Sequence, residues 1–138
     1  MPVYFVQNQK CSSKIRMRGV IMADNSKKML KLIYNALSDK KGEDIKIIDI
    51  SQISILADYF IIVNGNNSSQ LTAMVDEVEE VLAKNGYHDG KIEGIRSTEW
   101  ILMDYGNVVI HIFSKEARDF YDIERIWRDG VYVDESQL

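Results

Sequence analysis

The sequence predicts an α/β layered domain, a single mixed β-sheet with helices flanking it, and three observations lead there. Segments whose apolar residues recur every three or four positions alternate with short runs rich in β-branched and aromatic residues, which is the pattern of stacked helix and strand layers. One of those runs, YFIIVNG (59–65), is apolar on both faces and so belongs in the middle of a sheet. Gly106-Asn107 joins two further runs by a two-residue turn, so at least one strand pair is antiparallel.

The N-terminal stretch MPVYFVQNQKCSSKIRMRGVI shows no sustained helical period and no tight-turn residues. It reads as an appendage over residues 1–21, either a disordered leader or the product of an upstream start, since Met22-Ala23-Asp24 could itself begin a chain. An acid-free transit peptide or an extra docking strand are the other readings. The first helix is expected from Asp24 or Ser26 as N-cap, with Met29, Leu30, Leu32, Ile33, Ala36 and Leu37 at helical spacing, until Gly42. DIKIIDI (44–50) is a short strand, and YFIIVNG the next. Ser68 is expected to cap a second helix that turns Leu71, Met74, Val75, Val78, Val81 and Leu82 inward, Asp76, Glu77, Glu79 and Glu80 outward, and stops at Asn85-Gly86. An extended piece from Lys91 to Ile95 leads to the hairpin. Ser114 caps a last helix in which Ala117, Phe120, Ile123 and Trp127 recur, and DGVYVDESQL (129–138) reads as a frayed tail. The domain is therefore expected over residues 22–129, with a C-terminal tail over 130–138.

The hairpin is the most informative segment. In EWILMDYGNVVIHIF (99–113) the turn sets the register, so that Trp100 faces Phe113, Leu102 faces His111 and Asp104 faces Val109. Ile101, Met103, Tyr105, Val108, Ile110 and Ile112 then share one wholly apolar face, expected to meet the core. Trp100, Leu102, Asp104, Val109, His111 and Phe113 share the other. Asp104 and His111 become diagonal neighbours, roughly 7 Å apart at the backbone.

Length and composition suit one soluble domain: 138 residues, 46% hydrophobic and 28% charged. The single Cys11 offers no internal disulfide, and a reducing cytosol fits best. No apolar run reaches the eighteen or so residues that a membrane helix needs. Residues 1–21 hold four of the 17 bases and none of the 21 acids, which leaves a body of 13 bases against 21 acids. Such a body suits a basic protein partner better than bare nucleic acid, whose phosphates need clustered Lys and Arg.

The candidate chemistry is thin. IIVNGNNSSQ has the strand, turn and capped helix of many phosphate sites, but one glycine and no lysine, so it matches neither a P-loop nor a dinucleotide fingerprint. A nucleotidyltransferase would need paired carboxylates two residues apart on a strand to hold Mg²⁺. Asp104 has Leu102 and Gly106 at those offsets, and Asp49 has Ile47 and Ser51. Asp104 and His111 could serve as orienter and base of a triad only with an activated nucleophile, for which Ser97 or Thr98 would have to fold back. His88, His111 and Cys11 lack the spacing of a zinc cluster. No metal or cofactor is expected. Two readings of the Asp104 and His111 face remain: a satisfied polar pair beneath a helix, or an exposed aromatic recognition patch of Trp100, Leu102 and Phe113.

ADYFIIVNGNNSSQ, EGIRSTEWILMDYGNVVIHIF and EARDFYDIERIW resemble the ribosomal silencing factor (Iojap) family from about Asp24 to Asp129. The most specific positions are Trp100, Asp104, Tyr105, Gly106, His111 and Phe113, followed by Arg118, Tyr121, Glu124 and Trp127. The resemblance implies a nucleotidyltransferase-like fold without activity. It also implies a translational repressor that binds the large ribosomal subunit through the ribosomal protein numbered fourteen, blocks joining with the small subunit when nutrients are scarce, and can form a homodimer. On that reading Trp100, Leu102, Asp104, Tyr105, His111, Phe113, Arg118, Tyr121 and Glu124 are partner-binding residues and none is catalytic. The alternative is a nucleotide-binding, nucleotidyltransferase-like enzyme.

Overall fold

The computed structural model describes residues 14–88, 90–94 and 99–138, with side chains described from residue 26 onward. Cys11, Ser97 and Thr98, weighed above for chemistry, lie outside the described residues. The elements follow in the order α1 (Lys14–Asp39), β1 (Glu43–Asp49), β2 (Tyr59–Gly65), α2 (Ser68–Lys84), β3 (Lys91–Glu93), β4 (Trp100–Asp104), β5 (Val108–Ser114), α3 (Lys115–Tyr121), α4 (Ile123–Ile126) and β6 (Val131–Val133), with a short 3₁₀ turn at Glu135–Gln137.

One six-stranded sheet runs β3-β4-β5-β2-β1-β6. Only β2 and β5 pair in parallel; every other neighbouring pair is antiparallel, so the sheet is mixed as the sequence predicts. The hairpin register also holds, from Trp100 opposite Phe113 to Asp104 opposite Val109. Gly106 takes φ +83, which its missing Cβ permits and which lets the two-residue turn follow the strand twist.

The larger core lies on the predicted hairpin face. Ile101, Met103, Val108, Ile110 and Ile112 are buried there against Leu30, Ile33 and Leu37 of α1 and Leu71, Met74, Val78 and Leu82 of α2. Tyr105 closes this core at its edge, where its ring lies so close to Gly90 that a Cβ on that glycine would stand 2.3 Å from the ring. Each such aliphatic side chain contributes about 1.5–3 kcal/mol by leaving water, and truncating one, as in Ile110→Ala, would cost about 2–5 kcal/mol.

Four element boundaries differ from the sequence expectation. The first helix starts at Lys14, not at Asp24 or Ser26, because Lys, Arg, Met and Ala sustain a helix through 14–23 and adding residues to an existing helix costs little. Asn67 caps α2 one residue before Ser68, its side chain accepting from Gln70 N–H at 2.8 Å. The last helix is broken at Asp122, which adopts φ +46; the left-handed residue ends α3 and re-phases the chain. Ile123 is therefore buried while Phe120, expected inward, is 81% exposed. Finally, the tail is not frayed: Val131–Val133 adds an antiparallel edge strand to β1, and a capping box on Asp134 closes the following turn. Val-Tyr-Val has the β-branched and aromatic character for this, in a run too short to stand out.

Candidate functional site

Strand alternation places Trp100, Leu102 and Asp104 of β4 and Val109, His111 and Phe113 of β5 on the second face of the sheet. The parallel register sets Phe60 beside Val109, Ile62 beside His111 and Asn64 beside Phe113. Among the described residues, the helices on this face are the short α3 and α4. They bury a small cluster of Ile48, Ile50, Ala57, Ile62, Phe113, Ala117 and Ile123, and leave Phe60, Trp100, Val109 and Trp127 half-buried around it.

Trp100 and His111 are tied together across the hairpin. The indole Nε1–H donates to His111 Nδ1 at 3.2 Å, so the ring proton of neutral His111 belongs on Nε2, a buried atom with no hydrogen-bond partner. The imidazole is 5% exposed, and burial pushes its pKa down to about 4. Phe60 meets its ring edge-on with centroids 4.7 Å apart. Trp100 in turn lies 5.0 Å from Phe113 and 4.8 Å from Tyr121, ring to ring. A large aromatic side chain that is half-buried and held on several sides is a rigid platform suited to recognition.

Asp104 and His111 do not act as a pair. The Asp104 carboxylate accepts from Gly106 N–H at 2.8 Å and so braces the hairpin turn, and only burial accounts for the displaced imidazole. With the Asp104 carboxylate on the turn amide and His111 Nδ1 on the Trp100 indole, the two are not joined as orienter and base. The expectation of an exposed His111 and Phe113 is corrected as well, since α3 crosses that end of the face and Phe113 is fully buried. Leu102 and Asp104 remain half-buried and Tyr121 exposed beside Trp100, whereas Tyr105 belongs to the opposite face.

Arg118 is an internal anchor. Its Nη1 donates to the Asp44 carbonyl at 2.7 Å and to Asn64 Oδ1 at 2.8 Å, Nε donates to Glu124 at 3.0 Å, and Nη2 lies 3.5 Å from the Asp44 carboxylate. The first contact exists because β1 bulges at Asp44, whose φ of +51 turns its carbonyl toward α3. Arg118 thus fastens α3 to the sheet, and Glu124 is half-buried as its counter-ion. The family resemblance pointed to both residues but gave no sign that they face inward.

The phosphate-like loop is filled by its own side chains. Gln70 Oε1 accepts from Asn66 N–H at 2.7 Å, its amide reaches the carbonyls of Lys40 and Lys41, and Glu43 accepts from Asn64 and Asn66. Gly65 is needed for packing: a Cβ there would stand 3.0 Å from Leu71 and Met74. Among the described residues no group of three or more His, Cys, Asp or Glu is placed to hold a metal ion, and no helix is long and apolar enough to cross a membrane.

Sequence reasoning missed Phe60, which reaches the site only through the parallel register, and the apolar residues of the β1–β2 connection. Ile53, Ile55 and Leu56 are exposed there, and their signal was an apolar cluster in a segment with no periodicity to bury it.

The family model described as "Ribosomal silencing factor during starvation" matches residues 23–138. The Bacillus subtilis protein named ribosomal silencing factor RsfS is 39% identical over 110 residues, covering 80% of this chain and 93% of its own length. A mouse protein named mitochondrial assembly of ribosomal large subunit protein 1 is 28% identical over 99 residues, 70% of this chain and 43% of that protein. Among solved structures, a crystal structure of a Chromobacterium violaceum protein superposes with a TM-score of 0.70 at 38% identity, covering 72% of this chain and 83% of that one.

Proposed function

The chain belongs to the ribosomal silencing factor family, and from that premise we propose that it binds the large ribosomal subunit and keeps it from joining the small one, lowering translation when nutrients are limited. The observation that carries the reading is the half-covered second face, where Trp100 is fixed by His111, Phe113 and Tyr121 yet stays only half-buried. A pre-organised aromatic anchor loses little entropy on docking, which favours a protein partner. The acidic body directs that choice toward a basic surface, as the proteins of a ribosomal subunit are, and the protein numbered fourteen is the proposed contact. Support for a large-subunit partner comes from the name of the mouse relative.

Within this reading Trp100, Leu102, Asp104 and Tyr121 meet the partner, while His111, Phe113, Arg118 and Glu124 hold them in place and Tyr105 supports the hairpin from behind. The working unit is proposed to span residues 22–138, with the edge strand β6 included, in the cytoplasm and without a catalytic step. A self-paired form would compete for the same aromatic face. Sedimentation with purified large and small subunits tests the proposal, with nucleotide binding measured in parallel. Cosedimentation with the large subunit alone is the expected result. Saturable nucleotide binding without subunit binding would favour the enzyme reading instead.

A further inference from the structure

We infer that the β1–β2 loop, residues 51–58, is a second docking element for a basic protein surface, its aliphatic crest seating in an apolar depression rimmed by Lys and Arg. The inference rests on the large-subunit reading above and adds a contact to it. Ile55 is 97% exposed and Leu56 85%, with Ile53 two positions before them, so three branched aliphatic side chains project into water from within four residues of one short loop. Scattered apolar residues are ordinary on a surface, but a contiguous exposed group marks an interaction site.

The loop is also held in shape. Ile53 N–H and Ser54 N–H both donate to the Ile50 carbonyl, at 3.0 and 2.9 Å. The Asp49 carboxylate accepts from Ser51 N–H and from its hydroxyl, and Leu56 N–H donates to Ser54 Oγ at 3.1 Å. Asp58 N–H reaches the Asn107 carbonyl at 2.8 Å, which fastens the loop to the hairpin turn. A segment constrained in this way presents its crest at little entropic cost. Ile50, just before the loop, and Ala57, near its end, are both buried in the small cluster of the second face. The crest therefore stands at one end of the face that carries Phe60 and Val109 near it and Trp100 farther along.

Charge selects the occupant. Asp49, Asp58, Asp104 and Asp129 stand at this end of the sheet, beside Lys91 opposite Asp104 and Arg128 before β6. The local excess is acidic, and the Tyr59 hydroxyl registers it: burial first, then Asp49 and Asp58, push its pKa up. A two-fold contact with a second copy would bring two such acidic rims together and set crest against crest, so a concave, basic partner fits better.

The test uses the full chain and purified large ribosomal subunits. The Ile55→Ser/Leu56→Ser variant should keep the wild-type melting temperature, because both side chains are in water already, and should bind about tenfold or more weakly, mainly through faster dissociation. Ile55→Lys should weaken binding more than Ile55→Glu, since the rim it meets is basic. Sedimentation velocity of the free protein should be the same for variant and wild type. Wild-type binding with an unaltered affinity of the double variant overturns this inference and leaves the large-subunit reading standing. A variant that changes self-association but not subunit affinity assigns the loop to a second copy and overturns it too. Absence of wild-type binding removes both.

Discussion

Replacing Trp100 by alanine should lower both stability and binding, and the structure sets the size of each. The side chain is half-buried, so the packing loss is about half of the 3–5 kcal/mol of a fully buried aromatic, roughly 1.5–2.5 kcal/mol. Its indole also supplies the donor for His111 Nδ1, and a buried acceptor left unpaired costs about 1–3 kcal/mol. Together these destabilise the fold by about 2.5–5.5 kcal/mol, measurable as a shift in the urea midpoint with an unchanged slope. Affinity for the large subunit should fall by about 2 kcal/mol or more, roughly thirtyfold, because anchors of this kind dominate small interfaces. Trp100→Phe separates the two effects: it keeps most of the ring contacts and removes the donor, so it should cost about 1–3 kcal/mol in stability with a smaller loss in binding. If Trp100→Phe were as stable as the wild type, the hydrogen bond would not be holding the platform. A Trp100→Ala protein with full affinity would remove this face from the interface.

Further predictions follow from the same geometry. His111 stays neutral in the folded protein down to about pH 4, while the unfolded chain takes up its proton near pH 6.5. Stability should therefore be fully present above pH 6.5 and decline by about 3 kcal/mol as pH falls to 4, and a pH series of melting temperatures should show this slope flattened in His111→Gln. Arg118→Met should destabilise the fold by about 3–5 kcal/mol in urea denaturation, since it strands the Glu124 carboxylate and Asn64 inside; Arg118→Lys should not rescue it, because a single ammonium cannot reach all of these acceptors. Ser114→Ala removes the acceptor for Ala117 N–H and should cost about 1 kcal/mol, read from the same denaturation curves. The association rate with large subunits should fall as salt rises toward physiological strength, and free ribosomal RNA should compete poorly in the same stopped-flow assay.

Much of this architecture is legible in the residues because local chemistry decides it. The Gly106-Asn107 turn fixes where each hairpin residue faces, and Ser114 announces the start of α3 by the cap it can make. What escaped depends on contacts distant in the chain. Nothing in YFIIVNG reveals that it pairs in parallel with VVIHIFS, so the packing of Phe60 on His111 was invisible. The break at Asp122 is a tertiary choice, in which buried Ile123 and the Arg118–Glu124 pair outweigh helix continuity. That α3 packs on Phe113, and that Phe60 and Trp100 enclose His111, turned two residues of a supposed surface into its supports.

Subunit joining is the measurement closest to the central claim. Purified large subunits preincubated with the protein are mixed with small subunits, and association is followed by light scattering while bound protein is quantified by cosedimentation. The account predicts that joining falls in proportion to occupancy of the large subunit, and that preincubation with the small subunit alone gives no greater effect. Full joining by large subunits saturated with the protein would contradict it.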